Sequence, residues 1–115
     1  MKTINKCGAQ GDCVFRRVDR VPEGFARQER RGPVVAAHSE TGHHHAIDDT
    51  GVVQYASPDP LKCYLVLEGA EHADVVHHRS FDTHETVRLL GGIGSVWEVR
   101  RQREWEPEGW RRVED

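Results

Sequence analysis

Short runs in which hydrophobic and polar residues alternate, separated by turn residues, dominate the chain. The clearest is residues 61–69, LKCYLVLEG, which places Leu61, Cys63, Leu65 and Leu67 on one face of an extended strand. This two-residue period predicts strands rather than helices. It predicts roughly eight or nine short strands, drawn from residues 11–21, 33–38, 43–48, 52–56, 61–69, 73–80, 86–90, 95–105 and 109–115.

One segment is a candidate for a helix. Residues 23–32, EGFARQERRG, are bounded by Gly24 and Gly32, which limits the segment to a short helix or a mobile loop. The close spacing of residues 43–48 and 52–56 predicts a hairpin that turns at 48–51. Regular short strands with at most one short helix predict an all-β domain that spans residues 1–115, a small barrel or sandwich.

Composition narrows the class of protein. The net charge is -3, charged residues make up 30% of the chain, and no apolar run approaches the ~20 residues of a membrane span. The first ten residues lack the apolar stretch of a signal peptide. We therefore expect a cytoplasmic protein with no membrane partner and with three reduced cysteines. Nucleic acid is not the favoured partner at this charge, and the oligomeric state is left open.

Residues 41–47, TGHHHAI, hold the most distinctive chemistry. In a strand His43, His45 and Ile47 share a face, and His44 points the other way. Ile47 is the natural core residue, so His43 and His45 are predicted to face inward. Two imidazoles spaced two residues apart on a strand, about 6–7 Å at the backbone, can reach one metal ion.

A third ligand must come from elsewhere in the chain. His84, in the polar segment FDTHE, is the best placed, with His78 or Asp49 as further ligands. His77 and Glu85 are alternatives, and only one of His77 and His78 can face inward. The predicted cofactor is a divalent transition metal: zinc, iron, manganese or nickel. Three protein ligands would leave one position open for water or a small-molecule ligand, in an enzyme or in a binder.

Two resemblances accompany this pattern. His43-x-His45-x-x-x-Asp49 resembles the first motif of the cupins, with Asp in place of the usual Glu, which implies a jelly-roll-like barrel that binds metal. The chain departs from that family because no P-x-G precedes His84. TGHHH and RQREW resemble segments of small uncharacterised bacterial and phage proteins, which implies a shared fold and no particular activity.

Residues 97–112, WEVRRQREWEPEGWRR, support a different function. Three tryptophans interleaved with five arginines suit a metal-free module that binds a nucleotide, a nucleic acid or a protein. The alternative is a structural hairpin in which Trp97 and Val99 pack inward and Arg100 points outward. We favour the hairpin, because the interspersed glutamates dilute the positive charge.

Overall fold

The computed structural model describes residues 1–37, 44–77 and 85–101, together with the backbone of two strands at 103–106 and 109–112. Every regular element among these residues is a β-strand, which confirms the all-β prediction, and no helix there is long and apolar enough to cross a membrane. The strands are β1 (Lys2–Ile4), β2 (Cys7–Gln10), β3 (Cys13–Val18), β4 (Ala26–Arg27), β5 (Val34–Ala37), β6 (His45–Ile47), β7 (Val52–Ala56), β8 (Lys62–Leu67), β9 (Ala73–His77), β10 (Val87–Leu89), β11 (Val96–Arg101), β12 (Arg103–Glu106) and β13 (Gly109–Arg112).

Eleven of these strands form two sheets. Sheet A has the order β1-β10-β9-β6-β5, and sheet B has the order β2-β3-β11-β8-β7-β4. Neighbouring strands run antiparallel except for β1 and β10, which are parallel. Strands β12 and β13 pair with each other as a separate hairpin.

The hydrophobic core lies between the two sheets. Sheet B contributes Phe15, Leu65 and Trp97, and sheet A contributes Ile47 and Val75, all with no exposed surface. Alternate residues of each strand point into this layer, as the two-residue period predicts. The arrangement is that of a small β-sandwich, and the inward orientation expected for Trp97 is confirmed.

Of the short helix or loop expected at residues 23–32 the structure has no helix, and the hairpin predicted at 48–51 is wrong. Residues 23–32 contain no helix, because β4 pairs with β7 and Gln28 donates its backbone N–H to the Gln54 carbonyl. Residues 48–51 do not close a hairpin, because β6 pairs with β5 and β9 in sheet A and β7 pairs with β8 and β4 in sheet B. The connection therefore carries the chain from one sheet to the other.

Hydrogen bonds from Arg30 hold that connection in place. Its guanidinium donates to the carbonyls of Asp48 at 2.7 Å, Val52 at 2.9 Å and Ile47 at 3.4 Å, and also to the Asp49 carbonyl. A planar group with five donors can satisfy several carbonyls of one bend, which an ammonium group cannot match.

We expect Arg30→Ala to lower the free energy of unfolding by about 2–3 kcal/mol, because several charge-assisted hydrogen bonds are lost together. Arg30→Lys should recover only a small part of this loss. Arg31→Ala is the matched control, since the Arg31 side chain is 82% exposed and its removal should cost less than about 0.5 kcal/mol. Urea denaturation measures all three, and equal stability of the Arg30 and Arg31 variants would contradict this role.

Candidate functional site

Two histidines are buried side by side in sheet A. Strand pairing places His45 of β6 opposite His77 of β9, and both side chains are fully buried. Their rings are stacked, with centroids 3.9 Å apart and planes 11° from parallel. His45 faces inward together with Ile47, as the alternation in TGHHHAI predicts, and His44 is half-buried.

Gln10 fixes the orientation of the His45 ring. The Gln10 side-chain nitrogen donates to the carbonyls of Val75 at 2.8 Å and Glu85 at 3.0 Å. Its oxygen therefore faces His45 Nδ1, at 2.8 Å, and that oxygen can only accept a hydrogen bond. Nδ1 must carry the hydrogen, so in the neutral ring the lone pair is on Nε2.

An acidic residue from sheet B lies on the other side of His45. Asp12 occupies the two-residue turn between β2 and β3, after Gly11, whose φ of 59° suits the first position of a type II′ turn. Asp12 Oδ2 accepts from Arg101 Nε at 2.8 Å and also from a terminal nitrogen of Arg101. The Asp12 and Arg101 side chains are only 1% and 4% exposed. Gln10, Asp12, His45, His77 and Arg101 together form the buried histidine cluster.

The distance between His45 and Asp12 indicates what this cluster can bind. Nε2 of His45 lies 3.4 Å from Asp12 Oδ1 and makes no hydrogen bond to the described residues. An imidazole nitrogen that faces a carboxylate is stabilised when a positive species, either a proton or a metal ion, lies between them. N–H···O hydrogen bonds are usually 2.7–3.2 Å long. Two ligand atoms about 2.0–2.1 Å from one tetrahedral ion lie about 3.4 Å apart.

His77 does not share that position. A metal ion lies in the plane of the imidazole that binds it, and the rings of His45 and His77 are parallel and stacked. An ion in the plane of His45 would therefore lie well outside the plane of His77. In this arrangement His77 contacts the face of His45.

Of the other predicted ligands, the structure describes Asp49. His43, His78 and His84 lie outside the described residues. The Asp49 carboxylate lies beside His72 and Asp74. The structure therefore does not bring Asp49 to the His45 ring.

Asp49 instead belongs to a half-buried group with His72 and Asp74, whose ligand atoms lie within 4.8 Å of one another. Asp49 Oδ2 accepts the backbone N–H of Asp74 at 3.0 Å. Both carboxylate oxygens of Asp74 accept from Arg88, at 2.7 and 2.9 Å. These hydrogen bonds lower the pKa of Asp74 more than its partial burial raises it. Because Arg88 already neutralises Asp74, this group is a weaker candidate for a cation.

Sequence reasoning missed Gln10, Asp12 and Arg101 as members of a site. The two-residue period of β11 did indicate that Arg101 is buried, because it places Arg101 on the same inward face as Trp97 and Val99. A charged residue at a core-facing position requires a buried partner. Nothing in the sequence identifies that partner as Asp12, which is 89 residues away.

The comparisons with known proteins add a family. No curated protein and no solved structure matches the chain. Residues 9–102 match a domain of unknown function, DUF8820, and this range contains the whole buried histidine cluster and ends before β12. The chain therefore belongs to the DUF8820 family.

Proposed function

We propose that this protein binds one divalent transition metal ion between the two sheets, with His45 Nε2 and Asp12 Oδ1 as ligands. The observation that carries the proposal is that His45 Nε2 lies 3.4 Å from Asp12 Oδ1 while the other ring nitrogen, Nδ1, is already hydrogen-bonded to Gln10. Nitrogen and oxygen ligands at a tetrahedral spacing favour zinc among zinc, iron, manganese and nickel.

The surroundings of the two ligands support this assignment. A histidine that binds metal usually donates its other ring N–H to a fixed acceptor, and Gln10 is such an acceptor. Arg101 occupies Oδ2 of Asp12, so Oδ1 is the oxygen that faces the imidazole. This polar pair is buried, where water competes poorly for a bound ion.

A third ligand is proposed from His43, His78 or His84. Their position in the chain supports this choice. His43 is two residues before His45, and His78 follows His77, which is stacked on His45. His84 precedes Glu85, whose carbonyl accepts from Gln10. With three protein ligands the ion keeps an open position for water or a small molecule, the arrangement found in catalytic metal sites.

Calorimetric titration of metal-free protein with zinc tests the assignment. We expect His45→Ala to weaken zinc binding at least about 100-fold, and Gln10→Ala to weaken it about 10–100-fold through loss of ring orientation. His44→Ala is the matched control and should bind as the parent protein does. Thermal denaturation of each variant without metal establishes that it is folded.

Asp49→Asn separates the two candidate sites. Its zinc affinity should equal that of the parent protein, because Asp49 lies with His72 and Asp74 rather than with His45. If Asp49→Asn abolished zinc binding while His45→Ala did not, the ion would belong to the Asp49 group and the proposal would fail.

A further inference from the structure

A cluster of positive charge lies on the outer face of sheet B, on the opposite side from the buried histidine cluster. In register across the sheet, Arg16 of β3 lies beside Glu98 of β11, which lies beside Tyr64 of β8. The next row pairs Arg100 of β11 with Lys62 of β8. These outward side chains are the centre of what we call the basic face.

Glu98 holds three cations of this face in place. Its carboxylate lies 3.0 Å from Arg100 Nε, 3.3 Å from a terminal nitrogen of Arg16 and 3.6 Å from Lys62 Nζ. It also accepts from the Tyr64 hydroxyl at 2.9 Å. One nearly buried carboxylate therefore faces three positive groups, and the Arg16 and Arg100 side chains remain 59% and 55% exposed.

The charge of Glu98 persists at neutral pH. Burial by itself raises the pKa of Glu98. The Tyr64 hydroxyl and the Arg100 and Arg16 guanidiniums together lower it by a larger amount, so the pKa lies below its ordinary value. The cations are thus kept in fixed positions by a charged residue. A ligand that binds them need not order them first.

Two cavities adjoin Arg16. One, of about 590 Å³, extends from Arg16 and Tyr64 to Arg20, and the other, of about 740 Å³, extends from Arg16 to Lys6 and Arg17. Both volumes fall in the range of small-ligand sites, roughly 300–1,000 Å³. Arg16 therefore lies between two depressions with further cations on either side.

The charge of this region differs from that of the whole protein. The charged residues that line the two cavities or contact Glu98 are six cations and three acids. The whole chain carries a net charge of -3. Positive charge is thus concentrated around these two cavities in an acidic protein, which favours a polyanionic partner. The cations are Lys6, Arg16, Arg17, Arg20, Lys62 and Arg100, and the acids are Asp19, Glu23 and Glu98.

Aromatic side chains border the same face. Phe25 packs edge-on against Tyr64, with centroids 4.8 Å apart, and Lys62 Nζ lies 5.9 Å from the Phe25 ring centre. Phe25 and Tyr55 are half-buried, so part of each ring is accessible. Cations for phosphates next to accessible aromatic rings for bases are the combination that single-stranded nucleic acids bind.

We propose that the basic face binds single-stranded nucleic acid, with phosphates on Arg16 and Arg100 and bases against the aromatic border. This surface is separate from the buried histidine cluster. Binding should therefore be unchanged by a chelator and by His45→Ala. A failure of the metal proposal leaves this one intact.

Fluorescence anisotropy of the full chain with a labelled oligothymidylate of about 20 nucleotides tests the proposal. We expect Arg16→Ala to weaken binding about fivefold to tenfold, and to reduce the slope of log affinity against log salt concentration by about 0.7. Arg31→Ala removes the same charge from an 82% exposed side chain that pairs with Glu29 and lines neither cavity, and should change affinity less than twofold. Circular dichroism establishes that both variants are folded.

Three outcomes would overturn the proposal. The first is no measurable binding of the parent protein at low salt, or equal losses in Arg16→Ala and Arg31→Ala. The second is loss of binding in Trp110→Ala with none in Arg16→Ala, which would assign the nucleic acid to the β12–β13 hairpin. The third is binding to phosphatidylserine vesicles as tight as to the oligonucleotide, which would assign the face to an anionic membrane surface.

Discussion

Asp12→Ala is expected to destabilise the protein by about 3–5 kcal/mol, measured by urea denaturation in the presence of a chelator. The carboxylate of Asp12 accepts two hydrogen bonds from Arg101, and both side chains are almost completely buried. Removing one member of a buried ion pair leaves the other charge in a region of low dielectric, which is far more costly than losing an exposed pair. The chelator ensures that any bound metal does not contribute to the difference.

A double variant separates the charge effect from simple loss of packing. Asp12→Leu with Arg101→Met replaces both charges with apolar groups and should recover most of the stability lost in either single variant. If Asp12→Ala costs less than about 1 kcal/mol, the pair is not essential to the interior. If the double variant is as unstable as the sum of the single ones, the loss arises from packing rather than from charge.

Trp97→Ala is expected to have an effect of similar size, about 3–5 kcal/mol, measured by the same method. Trp97 is the largest of the fully buried side chains, and it lies on the inner face of sheet B. Its indole nitrogen donates to the Leu90 carbonyl at 3.0 Å, just before the turn that leads into β11. Alanine would leave a cavity between the sheets and remove this hydrogen bond.

Trp97→Phe divides the effect into its two parts. Phenylalanine keeps an aromatic ring in the core and loses the indole hydrogen bond, which is worth about 1 kcal/mol. We expect it to be clearly more stable than Trp97→Ala. A folded Trp97→Ala protein with an unchanged unfolding midpoint would contradict the place of this residue in the core.

The strand pattern of this protein was readable from its sequence because burial follows a local period. Leu65, Val75 and Trp97 each occupy one of the alternate, inward-facing positions of their strands, and the structure places all three between the sheets. His45 was predicted to face inward for the same reason, through Ile47 two residues later. A period of two residues depends only on the geometry of one extended strand.

Which strands pair, and which distant residues meet, could not be predicted from such a local period. The bend at 48–51 has the spacing of a hairpin, but Arg30, which lies 17–22 residues earlier in the chain, binds two carbonyls in the bend and one on each side of it. Asp12 meets Arg101 across 89 positions, and Gln10 reaches Glu85 across 75. These contacts depend on how the two sheets pack against each other, and no short stretch of sequence determines that packing.

In the candidate site too, the sequence predicted a local feature but not the contacts between distant residues. The sequence identified the histidine-rich segment and His45, but it selected partners by their chemistry in nearby loops. The structure supplies Asp12 and Gln10 from the first hairpin of sheet B. His43, His78 and His84 stay predictions, as does the resemblance to the cupins.

If His45 and Asp12 share a metal ion, the purified protein contains that ion and loses it when His45 is replaced. The protein is purified without a histidine tag, equilibrated with zinc, passed through a desalting column and analysed by inductively coupled plasma mass spectrometry. We expect about one equivalent of zinc per chain in the parent protein and almost none in the folded His45→Ala variant. A parent protein without zinc, iron, manganese or nickel, or a His45→Ala variant with the same metal content, would contradict this expectation.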